Sequence, residues 1–207
     1  MYQEAVILAN GQFPEQDSVI ELLKESEFIV CCDGAILNLE KHNISPDIII
    51  GDLDSIEDVH QTKYHDKIIK IDEQESNDLT KAFNYAVEKG YNKITILGAT
   101  GKRDDHTLAN ISLLYNYNKI ANTDIITDYG QWTVIDKTTT FDSYKGQQIS
   151  LFSNIPDAKM YSKNLKYSLN GMVFDEIWKG TLNESTSDNF TVKFENAQVL
   201  VFRESIK

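Results

Sequence analysis

The residues able to do chemistry gather in two short stretches. The first is Asp47-Ile-Ile-Ile-Gly-Asp-Leu-Asp-Ser55. Ile48, Ile49 and Ile50 predict a short buried strand. Gly51 then lets the backbone turn closely. Asp52 and Asp54 follow two apart, so in extended backbone their carboxylates point to the same side. Two carboxylates so close repel unless something positive sits between them. A hard divalent cation such as Mg²⁺, carrying a phosphate substrate, meets that demand. The same residues also suit a plain turn, with Asp54-Ser55 capping a helix that starts near Ile56.

The second stretch is Gly98-Ala-Thr-Gly-Lys-Arg-Asp-Asp-His106, which follows a predicted strand and opens a predicted helix. Its two glycines free the backbone to wrap a phosphate, and the helix start offers unpaired N–H groups. Arg103 is suited to gripping phosphate oxygens through two parallel hydrogen bonds. Asp105 suits a cation or a proton, and His106 suits support of the loop. The pattern is not a P-loop. A glycine-rich turn with Asp104 or Asp105 favouring the helix dipole reads equally well from these residues alone. Asp78 falls in the first turn of another predicted helix, and Asp33 follows the second predicted strand. Asp33, Asp52, Asp54, Asp78 and Asp105 therefore all sit at strand-to-helix junctions, which in a parallel sheet share one edge. With one arginine, they describe an acidic, Mg²⁺-loaded site suited to a nucleoside triphosphate.

The elements that must position these residues alternate. Strands are predicted over 5–9, 28–32, 47–50, 67–71, 93–97 and 124–127. Helices are predicted over 15–25, 35–41, 76–89 and 104–118. In the third helix Leu79, Ala82, Phe83, Ala86 and Val87 mark one apolar face. Ser76 or Asn77 caps it and Gly90 ends it. In the fourth, Leu108, Ile111, Leu114 and Tyr115 are expected to face inward. The alternation predicts a mostly parallel sheet with flanking helices. Past Tyr129 the helical period disappears. Strands over 133–135, 148–152, 190–194 and 199–202, separated by turn residues, predict an antiparallel β-sandwich or barrel. The expected fold class is α/β: a catalytic α/β domain over residues 1–130, then a C-terminal antiparallel β-sandwich domain over 131–207.

A formal net charge of -12 over 207 residues argues against nucleic acid as a partner, since phosphate neutralisation needs a basic surface. It also means that an anionic substrate needs help from Arg, Lys or a metal. Cys31 and Cys32 are adjacent, a poor geometry for a disulfide, and two buried thiols suit a reducing cytoplasm. No secretory leader and no run of membrane-spanning length is read from the sequence, so no membrane partner is expected.

The motifs also resemble a known family. Pro46-Asp47…Gly51-Asp52-Leu53-Asp54-Ser55, then Gln74…Asp78-Leu79…Lys81-Ala82, then Gly98-Ala-Thr-Gly…Arg103…Asp105-His106…Leu108-Ala-Asn110 are similar, in order and spacing, to thiamine pyrophosphokinase. Leu165-Lys-Tyr-Ser-Leu169 and Asn183-Glu184 extend the resemblance more loosely. It implies an N-terminal α/β domain, a C-terminal β-sandwich and a cytoplasmic homodimer with sites between subunits. It implies transfer of the β,γ-diphosphate of ATP to the hydroxyl of thiamine, giving thiamine diphosphate and AMP. By motif it implies Asp52, Asp54 and Asp78 as metal ligands and catalytic acids, joined in catalysis by Arg103 and Asp105. It assigns Asp33, Gln74, Thr100, Gly101 and Arg103 to ATP. Asn183, with Tyr167, Trp178 or Phe202 as aromatic partners for a cation, is assigned to thiamine. The chain departs from the family pattern at Ala35, at Lys102 and at Leu182, and in the Glu75-Ser76-Asn77 run before Asp78. Three rival readings accompany the acid pair: a metal-dependent glycosyltransferase, a phosphatase with Asp52 as nucleophile, and a non-enzymatic nucleotide- or thiamine-binding protein.

Overall fold

The computed structural model describes residues 3–54 and 56–205. The chain divides between Asp128 and Tyr129 into two compact units. The first runs β1 (Glu4–Leu8), α1 (Asp17–Lys24), β2 (Ile29–Cys32), α2 (Ile36–Lys41), β3 (Ile48–Gly51), α3 (Asp58–Lys63), β4 (Ile68–Lys70), α4 (Asp78–Glu88), β5 (Lys93–Leu97), α5 (Asp104–Tyr117) and β6 (Asn122–Thr127). Its strands lie in the order β6-β5-β1-β2-β3-β4, and every pairing between them is parallel. The fold class expected of this half is the one observed.

The apolar central strands β2 and β3 explain the arrangement. β2 is buried along its whole length, as a strand covered on both faces must be. Leu8, Cys31 and Ile49 share one apolar cluster with Val19 and Leu23 of α1 and Ile36 and Leu39 of α2. α4 packs against β1, β2 and β3 and contributes Ala82, Phe83 and Ala86 to the interior. Phe83 stacks on Tyr117 of α5 with ring centroids 4.0 Å apart.

Some expected elements shift. β3 starts at Ile48, because Asp47 is spent on β2: its carboxylate accepts from the Ile29 amide at 2.8 Å. α2 starts at Ile36, after a 3-10 turn at Asp33–Ala35. α3 begins at Asp58, two residues past the helix start near Ile56 that the turn reading offered; it has no buried residue, so it shows no apolar period to read. α5 buries Leu114 and Tyr117, with Ile111 and Tyr115 half-buried, whereas Leu108 is 68% exposed rather than inward. Among the described residues no helix is long and apolar enough to cross a membrane.

The second unit holds β7 (Gly130–Ile135), β8 (Thr139–Asp142), β9 (Gln148–Ser153), β10 (Met160–Lys163), β11 (Asn170–Met172), β12 (Asn183–Glu184), β13 (Asn189–Lys193) and β14 (Val199–Glu204). β12-β9-β14-β7 form one antiparallel layer and β11-β10-β13-β8 another. Ile149, Leu151, Val199 and Val201 from the first meet Phe141, Met160, Phe190 and Val192 from the second in one core. This is the expected sandwich. The short strands β8, β10, β11 and β12 were not legible, being interrupted by polar residues.

α4 is closed at its start by Asn77, whose side-chain oxygen accepts from the Thr80 amide at 2.9 Å and its hydroxyl at 2.7 Å. Asn77→Ala is expected to lower stability by about 1 kcal/mol. A urea midpoint unchanged from the parent would show that the cap is not made in solution.

Candidate active site

Because β1 to β6 are all parallel, the segments following them emerge at one edge. Asp33 leaves β2 directly into the 3-10 turn and is only 2% exposed. It can sit there because its neighbour across the sheet is Gly51. A Cβ at position 51 would lie 2.6 Å from the Asp33 Cβ. Asp52 and Asp54 follow. The strand does not persist through them as the alternation argument assumed. Leu53 takes a left-handed φ of 70° and folds the chain back. The carboxylates converge all the same: Asp33, Asp52 and Asp54 each offer an oxygen within 4.8 Å of the others. Ser55 lies outside the described residues. Asp54 does not cap α3, whose N-cap is Glu57.

Hydrogen bonds hold this group in place. The Asp54 amide donates to Asp52 Oδ1 at 3.3 Å, and Gln74 Nε2 donates to Asp52 Oδ2 at 3.4 Å. The Asp54 amide first, then Gln74 and the Lys81 ammonium, hold the Asp52 carboxyl below its ordinary range. Gln61 of α3 donates to the carbonyls of Ile56 at 2.9 Å and Leu53 at 3.4 Å, so an otherwise polar helix braces the acid loop. Asp78 lies outside the three-acid group. One of its oxygens accepts from Lys81 Nζ at 3.2 Å.

The glycine-rich loop is tied to the segment after β1. Gly98 and Gly101 have φ of 64° and 77°. The Gly11 amide donates to the Gly98 carbonyl and the Gln12 amide to the Thr100 carbonyl, both at 2.7 Å. The Gly101 amide donates to Thr107 Oγ1 at 3.1 Å. Lys102 stands where a glycine is expected and pays with a left-handed φ of 57°; its Nζ donates to the carbonyl and the side-chain oxygen of Asn10, each at 3.0 Å. Left-handed non-glycine residues at Asp33, Leu53 and Lys102 thus concentrate backbone strain on this edge, a common mark of functional sites. Arg103 and Asp105 form an exposed two-pronged pair, Nε to Oδ1 at 3.0 Å and Nη2 to Oδ2 at 2.6 Å. That pair, with the His106 amide, holds the Asp105 carboxyl far below the usual carboxylate range. His106 supports the loop through its main chain.

Asn10, Gln61 and Lys81 are the contributors that sequence reasoning missed as site residues. Asn10 follows the strand predicted over 5–9 and was given no role. Lys81 belonged to the quoted motif without a role. Nothing in the sequence marks Gln61.

In the second unit, Tyr167 and Trp178 expose 61% and 64% of their surfaces. Trp178 lies in a 3-10 turn (Ile177–Gly180), its Nε1 donating to Glu176 at 2.6 Å. Asn183 is buried, and both ends of its amide are engaged: Oδ1 accepts from the Tyr167 amide at 3.1 Å and Nδ2 donates to the Tyr167 carbonyl at 2.8 Å. Asn183 therefore fixes the backbone beneath Tyr167. Phe202 is half-buried, its ring 4.8 Å from that of Trp132.

Solved structures share this fold. A thiamine pyrophosphokinase from Bacillus subtilis matches with a TM-score of 0.84 at 22% identity, over 99% of this chain and 100% of that one. A probable thiamine pyrophosphokinase from Staphylococcus saprophyticus matches at 0.75 and 25%, over 99% and 100%. The yeast thiamin pyrophosphokinase matches at 0.80 and 18%, over 99% and 86%. The fold is thus that of an α/β domain followed in the chain by a C-terminal β-sandwich. A search of curated proteins gave no match. Two family descriptions match in sequence: "Thiamin pyrophosphokinase, catalytic domain" over residues 19–127, and "Thiamin pyrophosphokinase, substrate-binding domain" over 130–202. The chain belongs to the thiamin pyrophosphokinase family, ATP-dependent transferases that act on thiamine. The resemblance read from the motifs is confirmed, and the rival readings lose their ground.

Because Asp105 is depressed by its partner, any stability the pair confers is present above the unfolded pKa and fades only in strong acid. Arg103→Met is expected to raise the Asp105 titration toward the ordinary carboxylate range, read by carboxyl ¹³C NMR. A midpoint that does not rise would mean the pair is absent in solution.

Proposed function

We propose that the chain moves the β,γ-diphosphate of ATP onto the hydroxyl of thiamine at the carboxyl edge of β1 to β6. The observation that carries this reading is the convergence of Asp33, Asp52 and Asp54 on the edge that also bears Arg103. Three hard carboxylate oxygens so close fit Mg²⁺. When bound, that cation supplies neutralisation of the triphosphate charge. Asp52 and Asp54, with Asp33 or Asp78 beside them, are the residues to hold it, and Gln74 keeps Asp52 aimed.

In the transfer, the thiamine oxygen bonds to the β-phosphorus. The bond from that phosphorus to the α–β bridging oxygen breaks, and AMP leaves with the oxygen. Such transfers depend on positioning and charge neutralisation. Arg103 grips the triphosphate. Asp105 aims Arg103 with both its oxygens and, so engaged, is a poor proton acceptor. The hydroxyl proton passes to a carboxylate of the acid cluster. Thr100 and Gly101 shape the phosphate loop, since their own backbone groups are engaged by Gln12 and Thr107.

In the second unit, the exposed rings of Tyr167 and Trp178 suit stacking on cationic thiamine. Asn183 serves by positioning Tyr167, and Phe202 by packing. The free, buried thiols of Cys31 and Cys32 support a cytoplasmic setting. Exposed Leu108 and Ile120 of the first unit, and Ile177 and Leu182 of the second, supply surface for the homodimer.

Incubation with ATP, Mg²⁺ and thiamine is expected to yield AMP and thiamine diphosphate in equal amounts, neither forming without thiamine. Asp54→Asn should stay folded and lose turnover by roughly 100-fold or more. A fully active Asp54→Asn variant refutes the role given to that acid. Sedimentation equilibrium should report twice the chain mass; a monomer at assay concentrations overturns the dimer.

A further inference from the structure

Lys81 is the only buried lysine or arginine among the described residues, at 5% exposure. It lies one turn into α4, its ammonium 3.2 Å from Asp78, whose side chain is 35% exposed. α4 packs against β2 and β3, the two strands that deliver Asp33, Asp52 and Asp54. An ammonium taken out of water is costly unless its charge is matched. One half-exposed carboxylate on the same helix turn would be matched as well at the surface, where the long lysine stem usually carries its charge. Here the charge is instead sunk beneath an edge crowded with acids.

We propose that Lys81 is a built-in counter-cation of the acid edge, a positioning residue that keeps the carboxylates together before substrates arrive and sets how tightly they hold a divalent cation. It resists the cation by like charge and favours the anionic nucleotide by opposite charge. This rests on the reading of Asp52 and Asp54 as the divalent-cation site.

The test is Mn²⁺ binding to the nucleotide-free protein, followed by the electron paramagnetic resonance of the free ion, for the parent chain, Lys81→Met, Lys81→Arg and Asp54→Asn. Lys81→Met keeps the length of the stem and removes the charge. It is expected to bind Mn²⁺ roughly three- to tenfold more tightly, while metal-free ATP binds more weakly by calorimetry. Lys81→Arg should stay near the parent in both. A lysine that merely staples the helix predicts the same loss for both ligands, so the opposite signs carry the inference. If Asp54→Asn loosens Mn²⁺ and Lys81→Met does not tighten it, the role of Lys81 is overturned and the metal reading stands. If the parent binds no Mn²⁺, or Asp54→Asn binds it equally well, both fall. Circular dichroism confirms folding, and Lys81→Gln repeats the comparison should Lys81→Met not fold.

Discussion

Carboxylates that repel one another must be kept within a few ångströms on this molecule, and much of its local structure answers that constraint. The parallel sheet collects them, because each strand ends at the same edge. Room for Asp33 exists only because Gly51 has no side chain. Asp52 and Asp54 are brought together by a left-handed residue between them, at a conformational cost that the backbone accepts. A backbone amide, a glutamine and a buried ammonium then offset part of the negative charge. Nothing in this set is large alone. At separations under 5 Å, two unit charges near a protein surface interact by a few kcal/mol, so several modest offsets are needed.

The sandwich unit solves a different problem. An exposed aromatic ring is useful for stacking only if the backbone below it does not move. Asn183 supplies this by closing two hydrogen bonds on Tyr167 from the neighbouring edge strand. The rings of Trp132, Phe152 and Phe202 are tilted against one another on β7, β9 and β14. Under the proposed reading, a residue that matches a family's binding motif acts one step away from the ligand.

How much of this was legible in the sequence follows from the length over which each signal acts. Strand-and-helix alternation is a local periodicity, so the parallel sheet and the change to β structure after Tyr129 could be read. The acids at strand ends could be read too, because a parallel topology converts sequence order into spatial convergence. Leu108 misled, since apolar spacing on α5 marks more surface than this unit buries. α3 was anticipated only through the helix start near Ile56 in the turn reading, since it has no buried face to give an apolar period. The Gly51–Asp33 contact, the Gln61 brace and the Lys102–Asn10 tether join residues far apart in sequence or held by unusual backbone angles, and no spacing rule encodes them. The convergence of Asp52 and Asp54 was anticipated from a pleat that is absent, and arises from a turn.

The two thiols of β2 carry a consequence of another kind. Cys31 and Cys32 are buried and unbridged, and burial pushes both thiols well above the ordinary range, so neither is a thiolate in the folded protein. Alkylating reagents and oxidants reach them only when the sheet opens. Since β2 leads directly into Asp33, the rate at which these sulfurs become modifiable is an internal clock for the opening of the strand beneath the acids. The molecule thus reports the breathing of its own acid-bearing edge without any added label.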